Sequence, residues 1–167
     1  MAEIIKTYKQ NIAASRFIGK RYTDEDRIDG HFGAKWDEWF QNDWFKLLES
    51  QIDGCLTETK EDGDASIGLI REPEGVFEYW IGHFLPESTP APEGFDYLDF
   101  PAGELGVCWI YGKEEDVFML EGMCGERLEA EGYSVYTDCC FERYVCPRFT
   151  TPDAEGNIIL DICFFVE

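Results

Sequence analysis

The sequence has two histidines, 14 basic residues against 35 acidic ones, no cysteine pair spaced C-x-x-C and no long uncharged apolar run. Each shortage excludes a class of function. A zinc site needs thiolates and imidazoles clustered at short spacing, yet neither His31 nor His83 has a cysteine two to four residues away. No metal is expected, and no cofactor. The formal charge of -21 repels nucleic-acid phosphates, so direct DNA binding is not expected either. No stretch approaches the ~20 apolar residues that cross a bilayer. The start, Met1-Ala2-Glu3-Ile4-Ile5-Lys6, has no apolar core of signal length. Seven cysteines, an odd number without a secretory leader, fit reduced thiols. These absences describe a soluble cytoplasmic protein. They also weaken conventional nucleophilic catalysis, because no Ser-His-Asp order or Cys-His partner stands out.

What is present is an α+β pattern that occurs twice. At 167 residues the chain can bury roughly 70% of the surface its unfolded form exposes, enough for one domain or two fused lobes. Residues 4–22 read as one extended segment bent near Ala13-Ala14-Ser15. Trp36, Trp39, Phe40, Trp44, Leu47 and Leu48 then recur at spacings of three and four, which predicts a helix with one apolar stripe. Residues 58–64 read as a polar loop. Residues 66–72 and 76–84 follow as a hairpin across Pro73-Glu74-Gly75. Pro86, Pro90 and Pro92 mark a linker over about 86–94. Beyond it, 104–112 reads as a strand, 114–131 as a helix capped by Gly132, and 139–149 and 158–166 as strands. The chain is therefore read as 1–167 in one domain: a first lobe of about 1–85 and a second of about 95–167. Each lobe is strand-helix-strand-strand, the two related by a pseudo-two-fold axis. A cleft is expected where they meet, because rigid walls converge there.

One short stretch points to chemistry. In Cys140-Phe141-Glu142-Arg143-Tyr144 a strand turns Glu142 and Tyr144 to one face and Phe141 and Arg143 to the other. A carboxylate beside aromatic rings attracts an apolar cation, since ring quadrupole and negative charge act on the same guest. A solvated strand end paired with an arginine is the plainer reading of the same five residues. Three tryptophans on one helix pose a similar choice: they pack on a sheet, or one near the helix start, Trp36 or Trp39, lines a cavity.

Arg16-Phe17-Ile18-Gly19-Lys20, Phe77-Glu78-Tyr79-Trp80-Ile81-Gly82, Pro101-Ala102-Gly103 leading to Trp109-Ile110-Tyr111-Gly112, and Phe141-Glu142-Arg143-Tyr144 together resemble the GyrI-like small-molecule-binding domain. This effector-binding module occurs in AraC- and MerR-type bacterial regulators and as stand-alone, multidrug-binding proteins. The resemblance spans nearly the whole chain and implies the duplicated two-lobed fold. In that family a glutamate on the penultimate strand floors the cleft, and Glu142 occupies the matching place. Aromatic walls from both lobes imply Tyr79, Trp109, Tyr111 and Tyr144 as ligand-binding residues, with Trp36 from the first helix. No helix-turn-helix precedes the domain in this sequence, so the resemblance is to the stand-alone form.

Three functions are consistent with these residues. The first is a stand-alone effector-binding protein for hydrophobic, cationic aromatic small molecules, with Glu142 as counter-charge. The second is a hydrolase of strained, cyclopropanoid electrophiles, as some stand-alone family members are, with Glu142 as general base. The third is an acidic interaction module with a basic protein partner, as gyrase-inhibiting members of the family suggest.

Overall fold

The computed structural model describes residues 1–52 and 54–167. Its strands are β1 (Glu3–Ile12), β2 (Ser15–Tyr22), β3 (Ser66–Arg71), β4 (Glu78–Pro86), β5 (Asp96–Phe100), β6 (Gly103–Gly112), β7 (Val135–Tyr144) and β8 (Ile158–Val166). All pair antiparallel in one sheet of order β1-β6-β8-β7-β3-β4-β2-β5. Helices α1 (Gly33–Gln41) and α2 (Trp44–Glu49) follow β2. A single turn, α3 (Lys60–Gly63), lies in the stretch expected to be loop. After β6 come α4 (Glu114–Val117) and α5 (Glu121–Ala130), joined by a tight turn at Phe118–Leu120. The α+β class expected from the sequence is what the structure shows. Among the described residues no helix is long and apolar enough to cross a membrane.

The segment 4–22 is two strands, not one. Ala13 and Ala14 separate β1 from β2, and the two diverge: β1 pairs with β6, β2 with β4 and β5. The halves are therefore not separate three-stranded sheets. Each lends its first strand to the other, β1 to β6 and β5 to β2, which pairs backbone groups that would otherwise stand as an open edge. Exchanging β1 with β5, β2 with β6, β3 with β7 and β4 with β8 turns the strand order into its own reverse.

The expected helix over 36–48 is also divided. Asp43 has a positive φ of 54°, which ends α1 and restarts the chain as α2, so that Trp39, Phe45 and Leu48 all pack against β2 and β4. On the other side Val117, Cys124 and Leu128 of α4 and α5 pack on Cys108, Ile110 and Ile162. β7 ends at Tyr144, short of the expected 149, ahead of Pro147, which has no N–H to give to a ladder.

The sheet curls on itself. Phe100 on the edge strand β5 stacks on Phe165 of β8, ring centroids 5.1 Å apart, although five positions separate these strands in the sheet. Gly19 faces Gly82 in the β2–β4 pair, where a side-chain carbon on Gly19 would stand 2.1 Å from the Ile81 carbonyl oxygen. Inside the curl lie Phe17, Leu69, Trp80, Leu105 and Phe141. A charged cluster is buried beside them. Arg143 Nε donates to Asp161 Oδ2 at 2.9 Å and Nη1 to Gln10 Oε1 at 2.7 Å. Gln10 Nε2 donates to Asp62 Oδ2 at 2.8 Å, and Arg148 Nη2 to Asp62 Oδ1 at 2.8 Å. Two arginines and two aspartates cancel in charge, as burial demands.

Candidate functional site

On the outer face the two helical layers cover β2 and β4 on one side and β6 and β8 on the other. Between them β3 and β7, neighbours at the centre of the sheet, floor a cavity of about 790 Å³. Ser66, Ile70, Glu142 and Tyr144 rise from that floor, with Tyr79 from β4. One wall carries Phe32, Trp36 and Phe40, the other Glu114, Phe118 and Glu121.

The two-residue period of β7 sends Glu142 and Tyr144 into this cavity and Phe141 and Arg143 into the core. Glu142 is 6% exposed. Its Oε1 accepts from Tyr79 Oη at 2.7 Å and from Tyr144 Oη at 3.0 Å. Trp36 Nε1 in turn donates to Tyr79 Oη at 3.0 Å. The carboxyl is thus fixed by a relay running from α1 through β4 to β7. Burial lifts its pKa and the two phenols oppose that, leaving it raised to about 6, so it is ionised near neutral pH. The same burial, with the adjacent carboxylate, pushes the Tyr79 and Tyr144 phenols well above their usual value and keeps them as donors. Among the described residues no such donor reaches Glu121. Burial, and then Glu142, raise its pKa to about 8.

The rings are arranged around this carboxyl. Phe32 lies parallel to Tyr79, centroids 4.5 Å apart, and Trp36 meets Tyr144 edge to face at 4.9 Å. Gly68 makes room beneath them: a side-chain carbon there would be 2.4 Å from Tyr79 Oη and 2.5 Å from Glu142 Oε1.

Of the residues proposed from the sequence, the structure brings Trp36, Tyr79, Glu142 and Tyr144 together. Trp109 and Tyr111 lie elsewhere. On β6 it is Cys108 and Ile110 that face the helices, which turns the odd-numbered positions to the other side. Trp109 packs on the inner cluster and donates from Nε1 to Tyr8 Oη at 3.1 Å. Tyr111, near the end of β6, binds Asp153 and Asn157. Trp39 is fully buried and donates to Tyr22 Oη at 3.1 Å. Phe32, Gly68, Phe118 and Glu121 belong to the site without having been singled out. A lone glycine inside an apolar strand marks a close approach, and that signal could have found Gly68.

No family model matches the sequence, and no curated protein matches it. The fold has solved counterparts. A protein of Staphylococcus aureus MU50, described as a bacterial transcription regulation protein, superposes with a TM-score of 0.67 at 16% identity, over 98% of this chain and 99% of that one. SAV2435 bound to tetraphenylphosphonium gives a TM-score of 0.68 at 16% identity, over 98% and 94% of the two chains. EcmrR in its complex with DNA gives 0.59 at 13% identity, over 97% of this chain and 57% of that one. The chain has the fold of these proteins, in agreement with the resemblance to the GyrI-like small-molecule-binding domain drawn from its sequence.

Proposed function

We propose that this protein binds hydrophobic, cationic aromatic small molecules in the cavity over β3 and β7, which we take to be a cleft between a lobe of about 1–85 and a lobe of about 95–167. The observation that carries the reading is the Glu142 carboxyl, 6% exposed and flanked by rings on the floor of that cavity. A buried anion is costly without a partner, and a guest with delocalised positive charge supplies one while its rings fill the apolar walls. The size agrees, since drug-sized ligands occupy clefts of roughly 300–1,000 Å³. A structural counterpart that holds tetraphenylphosphonium, a cation wrapped in aryl rings, supports the same reading.

Thermal unfolding tests it. Tetraphenylphosphonium should raise Tm in a concentration-dependent way even at high salt, as binding to the native state requires. Neutral triphenylphosphine oxide should raise it much less. Equal shifts for the two would refute a charge-reading site.

A further inference from the structure

The cleft contains a second carboxyl that the reading above leaves unused. Glu121, the first residue of α5, lines the same cavity as Glu142. Glu142 accepts hydrogen bonds from two phenols, but among the described residues no hydrogen bond or ion pair reaches the Glu121 carboxyl. Asp37 and Glu114 add further negative charge along the wall. Against these stands Arg27, already committed: its Nε is 2.8 Å from Asp24 Oδ1, its Nη1 donates to the Gly30 carbonyl, and its guanidinium lies over Phe32 and Phe77 at 4.7 and 4.8 Å. His31 Nδ1 accepts from the Gly33 N–H. The two carboxyls thus share one cavity in which, among the described residues, no cation pairs with either of them, and a ligand can bring that charge.

We infer that the cleft takes bis-cationic aromatic ligands, one positive group seated on Glu142 and the second on Glu121. This rests on the cleft being a cation site and adds the number of charges it is built to read.

Proton traffic follows from the same arrangement. The groups whose charge bears on Glu121 are Glu142, Tyr79, Tyr144 and Cys140 from the sheet and Cys124 on its own helix; none is a cation. With its pKa raised to about 8, Glu121 carries a proton in the empty cleft near pH 7. A monocation satisfies Glu142 and leaves that proton in place. A dication draws it off: the carboxylic acid becomes a carboxylate and the proton passes to the buffer.

The test compares two amidines on one ring system, phenylbenzamidine with a single amidinium and biphenyl dicarboxamidine with one on each ring. Calorimetric titrations near pH 7, in two buffers of different ionisation enthalpy, read affinity and proton release together. The wild-type protein should bind the diamidine about tenfold or more tightly than the monoamidine. It should also release close to one proton more with the diamidine. In Glu121→Gln both differences should collapse, while retained monoamidine binding shows that the variant's cleft is folded. If the wild type binds the two amidines equally, or if Glu121→Gln keeps the diamidine advantage, the second seat is not Glu121 and the inference fails alone. If neither amidine nor tetraphenylphosphonium binds, the cation site itself fails and the inference with it.

Discussion

Gly68 stands opposite Glu142 in the β3–β7 ladder, and a methyl group on it would intrude to 2.5 Å from Glu142 Oε1 and 2.4 Å from Tyr79 Oη. The hydrogen bond joining those two side chains therefore depends on a residue that has no side chain. Gly68→Ala should push them apart without disturbing the backbone ladder. A hydrogen bond to a charged group contributes about 1.5–3 kcal/mol, so affinity for tetraphenylphosphonium should fall about tenfold to hundredfold. Calorimetry on the variant checks this, and unchanged affinity would mean that Tyr79 does not help to hold the carboxyl.

The buried Glu142 and the half-buried Glu121 should make the empty protein less stable as pH rises. Glu142 at about 6 and Glu121 at about 8 both lie above their usual 4.5, so the native state binds more protons than the unfolded one across that window. This contribution to stability is fully present below about 4.5 and is lost as pH rises through about 6 and then about 8. Denaturant unfolding at steps between these values should show the decline. Glu121→Gln and Glu142→Gln should each flatten it, and a slope equal to that of the wild type in both variants would contradict the assignment.

Arg143, adjacent to Glu142 but on the other face of β7, ties the strand to the buried cluster through Asp161 and Gln10. Arg143→Met would leave buried aspartates without part of their counter-charge. Breaking such a pair costs about 3–5 kcal/mol, which for a chain of this length lowers Tm by about 6–20 °C. Scanning calorimetry at neutral pH reads this directly. A loss of only a degree or two would show that Arg148 alone neutralises Asp62 and Asp161.

Much of this was legible in the residue order, and the gaps have identifiable causes. Period two on β7 placed Glu142 and Tyr144 together because both sides of that strand carry distinctive residues. The same rule applied to β6 could not say which set faces the helices, since Cys108, Trp109, Ile110 and Tyr111 are apolar on both faces. The family resemblance alone implies Trp109 and Tyr111 as wall residues, and the structure sets them on the other side of β6. The break at Asp43 is hidden in the sequence because Trp36, Phe40 and Trp44 keep a spacing of four across it. The exchange of β1 and β5 between halves is a long-range pairing on which local pattern is silent. Glu121 is hidden among the many charges of 114–131, where only its place in the cavity beside Glu142 distinguishes it.

The charge on Glu142 is the point on which the binding account turns, and isothermal titration of wild type and Glu142→Gln with tetraphenylphosphonium, at neutral pH and matched salt, tests it most directly. The substitution keeps the side chain's size and its contact with Tyr79 while removing the charge. The account predicts a loss of at least about tenfold in affinity, about 1.4 kcal/mol or more. Equal affinity in the two proteins would contradict it.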